Sequence, residues 1–418
     1  MTADVVAVGA GPFNLALAAL ADGVPGLRVV VLEQQPEFRW HPGLLIEGAT
    51  VQVPFLADLV TLVEPTSRWS FLSYLRAHGR LFPFYFAERF HVARAEYEAY
   101  CRWVAEGLGV CRFGERVTSV AVDQDGLFLV NGLRTRHLVL GVGTEPVLPE
   151  PLRGLPGVLH SADYLAHRAA LLGTPHVTVV GSGQSGAEVF LDLLRRGHPG
   201  LRWLSRTPAF APMEYSKLGL EQFTPDYTAF FRTLPAAVRD RLVPAQWQLY
   251  KGVSAETLGA IHDELYERSL AGGWPAPALH PGVAVTGAAV ADGRLALSVR
   301  HVQQGTAGTL LTDAVVAATG YAERPLAGVL GPLAAAVATD DRGRPQVDEA
   351  YRLTLHRPAA GSVFVQNAER HTHGVGAPDL GLAAWRAAVI VNAVCGRAAY
   401  PLPDRTAFTT FGLGEEAT

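Results

Sequence analysis

Three kinds of apolar patterning alternate along this chain. The first is a short apolar run, closed by glycine in every case but the second. Val5 to Val8 precedes Gly9, Arg28-Val-Val-Val-Leu32 precedes Glu33, Leu138-Val-Leu-Gly-Val-Gly-Thr-Glu-Pro146 and Asp313-Ala-Val-Val-Ala-Ala-Thr-Gly-Tyr321 repeat the form, and so does His176-Val-Thr-Val-Val180 before Gly181. Such runs predict strands of buried parallel sheets. The second is helical spacing: Leu15, Leu17 and Leu20 continue the first strand as an apolar helix, Phe71 to His78 and Glu96 to Glu106 read as helices, Ala187 to Arg196 follows the fifth run up to Gly197, and 213–270 is helical throughout. The third is alternation broken by turn dipeptides, Asp125-Gly126 and Asn131-Gly132 in a meander over 112–149, with a second meander over 283–302. Strand, helix, strand in succession predicts an α/β fold.

Two of the strand-to-helix joints carry chemistry. At the first, Gly9-x-Gly11-Pro12-x-Asn14 stands where a dinucleotide fingerprint has three glycines, and Glu33 closes the next strand, where an acid takes a ribose hydroxyl pair. At the second, Gly181-Ser182-Gly183-Gln184-Ser185-Gly186 is a complete GxGxxG, and the following strand ends at Leu204-Ser-Arg206. A basic residue there suits a 2′-phosphate, which favours NADP over NAD. Glycine at these places allows a tight turn and lets the backbone approach a pyrophosphate resting on the helix N-terminus. Two such sites in one chain imply electron traffic between two cofactors, and FAD with NADPH is the economical pair.

Length and composition set the frame. At 418 residues the chain exceeds one ordinary core. We expect two Rossmann-like dinucleotide-binding domains, FAD on 1–160 plus 320–418 and NADPH on 161–212 plus 280–319, with a small mainly helical substrate segment at 213–279. Leu148 to Gly157 is the best linker. A net charge of −4, without clustered Lys and Arg, argues against nucleic acid. No apolar run reaches membrane-spanning length and the N-terminus lacks a basic region before an apolar one, so a cytoplasmic enzyme is the expectation. Cys101, Cys111 and Cys395 form neither CxxC nor a metal-ligand spacing. Without a redox-active cysteine pair, electrons arriving at a flavin pass to another carrier or to oxygen. His371 and His373 lack a third ligand and point apart on an extended chain, so no metal is expected. Trp40 and His41, in the Pro/Gly-closed loop Phe38-Arg-Trp-His-Pro-Gly43, either face a bound aromatic ring or plug the sheet edge.

The motifs become specific when taken together. Gly9-x-Gly-Pro-x-Asn14, Trp40-His-Pro-Gly43, Gln52-Val-Pro-Phe-Leu-x-Asp-Leu-Val-Thr61 with Pro65-Thr-Ser67 and Phe71-Leu-x-Tyr74, Gly181-Ser-Gly-Gln-Ser-Gly186, Ala318-Thr-Gly-Tyr321, and His371-Thr-His-Gly374 with Asp379-Leu380 and Trp385-Arg386 resemble the N-hydroxylating flavin monooxygenases, in order from about residue 4 to 397. These are the lysine N6-, ornithine N5- and diamine N-monooxygenases of hydroxamate siderophore pathways. Leu155-x-Gly-Val-Leu-His-Ser161 resembles the linker of broader class B flavin monooxygenases in degenerate form, which favours the N-hydroxylating branch.

The resemblance implies that NADPH reduces FAD, that O₂ adds to the reduced flavin as a C4a-hydroperoxide, and that a neutral primary amine takes its distal oxygen. It implies Gly9, Gly11, Pro12, Asn14, Glu33, Gln34, Trp40, His41, Gln52, Asp379 and Leu380 at FAD, with Gln52 and Asn14 beside the reactive ring. It places Gly181, Ser182, Gly183, Gln184, Ser185 and Arg206 at NADPH. Gln52, Ala57, Tyr250, Lys251 and Ser254 are the substrate candidates. Ornithine hydroxylases usually carry at position 57 a lysine that binds the amino-acid carboxylate; alanine here weakens the ornithine reading and leaves L-lysine, cadaverine and putrescine open. The family implies a homotetramer or dimer. A flavin reductase or NADPH oxidase without amine hydroxylation is the competing class.

Overall fold

The computed structural model describes residues 2–413 except 271 and 358. Its first sheet runs Cys111–Phe113, Val29–Glu33, Ala3–Val8, Leu133–Leu140, all parallel. The register sets Val5 between Val29 and His137, and Val8 between Leu32 and Leu140. Val363–Val365 joins the far half of Leu133–Leu140 in parallel, while its near half takes the antiparallel meander of Phe128–Val130 and Val120–Val122. Asn131 and Gly132 both adopt positive φ, as a tight Asn-Gly hairpin requires.

The helix Pro12–Asp22 is buried from Pro12 to Ala21. It packs along Ala383–Cys395 through alanines on both sides, Ala16 and Ala19 here and Ala383, Ala387 and Ala388 there. Small contact residues let helix axes approach closely. Leu15, Leu17 and Leu20, each nearly inaccessible, contribute about 1.5–3 kcal/mol apiece on burial. The helix begins at Pro12 after Gly11, with no side-chain cap. Its first N–H groups are therefore left for an external acceptor.

A second sheet, Ala278–Pro281, Leu201–Ser205, Val177–Val180, Ala314–Ala317 and Val158–His160, is parallel throughout. Its helix Gln184–Arg195 packs on Trp203, whose ring stacks on Phe190 at 5.3 Å and Phe210 at 3.9 Å. A three-stranded antiparallel layer, Val283–Ala291, Arg294–His301 and Ala307–Thr312, buries Leu295, Leu297 and Val299 against Leu152, Leu204 and Val315.

The packing crosses the boundaries expected from sequence. Val158–His160 lies in the second sheet, on the far side of a division placed at 160. The segment 213–279 is divided. Ala255–Ser269 joins the second core through Ile261, Val253 belongs to the same cluster, and Ala278–Pro281 is an edge strand of that sheet. Pro225–Thr233 instead builds a small aromatic cluster of Tyr227 and Phe231 with Val375 and Phe411. The tail crosses over this helix: the Asp226 carboxylate accepts from Thr406 N and Ala407 N, and Glu221 accepts from Phe408 N and Thr409 N. Among the described residues no helix is long and apolar enough to cross a membrane.

One ion pair holds the two sheets' turns in relation. Arg94 forms two 2.8 Å bonds with Glu188 of the helix Gln184–Arg195 and a 2.7 Å bond to Leu44 O, with both charged groups largely buried. A bidentate pair of this kind fixes orientation as well as distance.

Candidate active site

A cleft of about 930 Å³ opens at the carboxyl end of the first sheet, where ligands of open α/β sheets bind. Gly9, Gly11, Pro12, Asn14, Glu33, Gln34, Trp40, His41, Gln52, Asp379 and Leu380 all line it, and Ser185 of the second turn reaches the same space. One continuous cavity thus touches both glycine turns.

The turn at Gly9 is held from behind. Gly9 has φ +93°, and a Cβ there would stand 2.4 Å from Gly141 O. Asn14 Nδ2 donates to Val8 O at 3.0 Å and Gly9 O at 2.7 Å, and its Oδ1 accepts from Gln366 Nε2 at 2.6 Å. All three bonds go to protein, so Asn14 ties the turn together from a position that also lines the cleft. Glu33 accepts from Ala10 N at 2.9 Å and Gln35 N at 2.8 Å. Each carboxylate oxygen keeps a lone pair for a ribose hydroxyl.

The walls are dry. His41 sits at φ +49° with its ring 4.9 Å from Trp40 and 5.9 Å from Tyr321. Burial, reinforced by the Arg94 charge, pulls its imidazole down to about 4, so it is neutral at physiological pH. Asp379 accepts from Gly381 N at 2.7 Å as the cap of the turn Leu380–Leu382. Burial raises its carboxyl to about 6 against the pull of that N–H and of Arg386. Behind it Arg386 pairs with Glu369 at 2.8 Å, both inaccessible, and lies 4.8 Å over Phe13 and 5.1 Å over Tyr351.

Two polar atoms in the lining are buried and have no hydrogen-bond partner: Gln52 Nε2 and the Tyr321 hydroxyl. A buried orphan donor costs about 1–3 kcal/mol until it finds an acceptor. Together with the uncapped helix at Pro12 and a turn too tight for any Cβ, they fit a dinucleotide with a polar ring system. Tyr321 was not among the sequence candidates, although its place after Ala318-Thr-Gly320 at a strand end was a usable signal. Gln366 was also missed; it lies 352 positions from the Asn14 it holds, and no local pattern marks it.

At the second turn Gly181 has φ +148°, and a Cβ there would stand 2.1 Å from Ala318 O. Trp203 Nε1–H donates to Gly181 O at 2.7 Å. The Gln184 side chain is spent internally: it donates to Glu188 at 2.9 Å and Thr257 at 3.0 Å and accepts from Ser254 N at 2.8 Å. Only its backbone, with those of Ser182, Gly183 and Ser185, is left for a ligand. Arg206 is exposed at the end of Leu201–Ser205.

The substrate candidates fare differently from the cofactor residues. Gln52 lines the cleft, while Ala57, Tyr250, Lys251 and Ser254 do not. Ala57 is buried inside a turn closed by its N–H on Pro54 O. Ser254 is the cap of Ala255–Ser269, its hydroxyl accepting from Thr257 N. Lys251 and Arg370 flank the Tyr250 ring at 5.2 and 5.9 Å. Burial, then Arg370 and Arg206, lowers the Lys251 amine, and Lys251 O is 3.4 Å from where a Gly183 Cβ would be. Three cations thus gather by the second turn. His371 and His373 lie on the single helical turn Arg370–His373, not on an extended chain. His371 contacts Pro345 O at 2.8 Å, and His373 contacts Arg232 at 3.2 Å.

Two parallel sheets, each with a glycine turn feeding an uncapped helix, around one shared cleft define a two-nucleotide flavin oxidoreductase. Residues 1–323 match the L-lysine 6-monooxygenase/L-ornithine 5-monooxygenase family, and the chain belongs to it. It is 44% identical over 437 residues to the rhizobactin siderophore biosynthesis protein RhbE of Rhizobium meliloti (99% of this chain, 96% of the relative). It is 40% identical over 425 residues to the putrescine N-hydroxylase of Shewanella oneidensis (98% and 84%). Among solved structures, the FAD-bound cadaverine monooxygenase DfoA of Erwinia amylovora superimposes with a TM-score of 0.93 at 37% identity, covering 99% of each chain. The protein is an N-hydroxylating flavin monooxygenase that uses FAD and NADPH.

Proposed function

We propose that this enzyme hydroxylates one terminal nitrogen of an aliphatic diamine, putrescine or cadaverine, for a hydroxamate siderophore. Ala57 sets ornithine aside, since a small buried residue stands where an ornithine enzyme needs a cation for the substrate carboxylate; that leaves L-lysine and the diamines, and the likeness to diamine enzymes carries the choice between them. The putrescine and cadaverine enzymes among its similar proteins agree. L-Lysine is the second reading, favoured by the Lys251–Arg370 cations, which suit a carboxylate.

FAD belongs to the first turn, with Glu33 on the ribose, the Pro12 helix at the pyrophosphate, and Gln52 and Tyr321 turned to the ring. NADPH belongs to the second, with Arg206 and Lys251 toward its phosphates. Bound FAD, once reduced by NADPH, supplies the activation of oxygen. The chain's own residues set the conditions. An alkylamine with pKa about 10.4 must lose its proton, which costs about 4 kcal/mol near neutral pH. A dehydrated cleft lowers that cost by penalising the ammonium form. Neutral His41 adds no positive charge beside the amine, and the Trp40, His41 and Tyr321 rings give that part of the wall an aromatic surface. Use of NADPH and three free cysteines support a cytoplasmic location. The exposed rings of Phe82, Tyr85, Phe86 and Phe90 support the homo-oligomer that the family implies.

The test is NADPH oxidation and hydroxylamine formation with putrescine, cadaverine, L-lysine and L-ornithine. The expected result is a kcat/KM for a diamine about tenfold or more above either amino acid, a difference of about 1.4 kcal/mol. A preference for lysine installs the second reading; NADPH consumption independent of amine, yielding only peroxide, replaces both with an oxidase.

A further inference from the structure

Four acidic side chains line the cleft: Glu33, Glu115, Glu145 and Asp379. Glu115 and Glu145 are exposed, and Glu33 already accepts from two N–H groups. Asp379 differs from all three. It stands in the dry wall, where burial lifts its carboxyl to about 6. Its charge reaches two phenols. Burial above all pushes Tyr97 up and Asp379 adds to it, while Tyr215 is pushed up to about 12 by burial, then by Glu256 and Asp379. The Tyr97 ring lies 5.2 Å from Trp40, which puts the carboxyl on the aromatic side of the cleft.

This carboxyl is only half used. Its Oδ1 accepts from Gly381 N at 2.7 Å, and the glycine makes room for that approach, since a Cβ at 381 would stand 2.8 Å from the same oxygen. The other oxygen has no hydrogen-bond partner among the described residues, and unlike Gln52 Nε2 it is not sealed inside the protein. Arg386, the cation that acts on Asp379, is spent elsewhere, on Glu369 and Asn367 at 2.8 Å and on Ala377 O at 2.6 Å. An anion held in a dehydrated wall without its own counter-ion costs stability. Asparagine would keep the bond to Gly381 N and avoid that cost, so the carboxylate points to a cation that enters the cleft.

We propose that Asp379 determines substrate specificity, its free carboxylate oxygen receiving the ammonium at the unreacted end of a diamine. The inference rests on the diamine reading above. Such a substrate needs opposite treatment at its two ends: the reacting nitrogen must be neutral, and the other is a cation that a dry cleft excludes unless it is paired. L-Lysine brings a carboxylate as well as an ammonium to that far end, and the carboxylate meets a like charge. Ala57 withholds the cation that would hold a carboxylate, and Asp379 supplies the anion that turns one away.

The test compares cadaverine with n-pentylamine, the same carbon chain without the second nitrogen, in the wild type and Asp379→Asn. For the wild type, kcat/KM for cadaverine should exceed that for n-pentylamine about a hundredfold, mostly through KM. Asp379→Asn should cut this ratio about tenfold or more by weakening cadaverine and leaving n-pentylamine unchanged, and should narrow the gap between cadaverine and L-lysine. Calorimetric titration of the flavin-loaded protein in its oxidised form should show the same loss in cadaverine affinity. Both amines are measured on one preparation, so partial loss of flavin cancels from the ratio. Should Asp379→Asn hold no flavin, Asp379→Ser, which also offers an oxygen to Gly381 N, takes its place in the comparison. A wild type that prefers L-lysine to the diamines overturns the diamine reading and this inference with it. A wild type that prefers diamines, with the same cadaverine to n-pentylamine ratio in the variant, overturns the inference alone.

Discussion

The two glycine turns solve one problem in opposite ways. At the second, Gly186 presses against Gly181 O at 3.1 Å and Trp203 Nε1 at 3.4 Å, measured from where its Cβ would be, so the third glycine makes room for helix against strand. At the first, position 14 is asparagine, and the room comes from across the sheet: a Cβ on Gly141 would lie 2.5 Å from Asn14 Nδ2. The glycine has moved from the helix to the neighbouring strand, and the side chain it admits ties the turn to Val8, Gly9 and Gln366. The surroundings differ as well. The first turn faces a dehydrated cavity that pulls His41 down to about 4 and Asp379 up to about 6; the second ends at an exposed arginine. Buried, interlocked groups suit a nucleotide that stays, and an open rim with free cations suits one that exchanges.

Substitutions can break this contrast. The largest effect is expected for Gly9→Ala, where positive φ and the 2.4 Å approach to Gly141 O act together. FAD affinity should fall about a hundredfold or more, the equivalent of about 3 kcal/mol, read as flavin absorbance per protein. Gly11→Ala meets nothing within 4 Å in the protein itself. Any loss of flavin there, with unchanged stability of the flavin-free protein, reports the backbone's approach to the ligand.

The dryness of the first site is tested next. A buried carboxyl raised from 3.8 to about 6 contributes stability that is fully present below pH 3.8 and lost as pH rises through about 6. Above that, the ionised Asp379 costs up to about 3 kcal/mol. Asp379→Asn keeps the cap and removes the charge, so its thermal midpoint relative to wild type should rise between pH 5 and pH 8. A constant difference would mean that the carboxyl is hydrated.

Asn14→Gly restores three glycines to the first turn but leaves Gln366 Nε2 buried without its acceptor. The expected cost is about 1–3 kcal/mol in unfolding by denaturant; a neutral result would make the two turns equivalent. The smallest effect belongs to the open site. Arg206→Ala should raise KM about tenfold for NADPH and leave NADH nearly unchanged. Equal changes would remove Arg206 from the phosphate.

Local pattern was enough to place both turns, their strands and helices, Glu33 after the first and Arg206 after the second. Each depends on neighbours in sequence, through the period of the apolar residues and the φ that only glycine accepts freely. The resemblance added Trp40, His41, Gln52, Asp379 and Leu380, and all five line the cleft. What failed lay in long-range packing. Nothing near Ser254 distinguishes a helix cap from a ligand contact, and the Gln184 side chain is consumed by Glu188, Thr257 and Ser254, one of them 73 positions away. Likewise, the helical character of 213–270 was legible, but the edge strand Ala278–Pro281 that follows and the division of the helices between two cores were not, since composition does not say which surface an element covers. The sequence by itself therefore determined the local conformations and the chemical types that bind nucleotides. Tertiary structure decided which polar groups are already satisfied, as with Asn14 and Ser254, and which remain free, as with Gln52 and Tyr321. A hydrogen-bonding group is spent or available only according to the atoms that folding brings beside it.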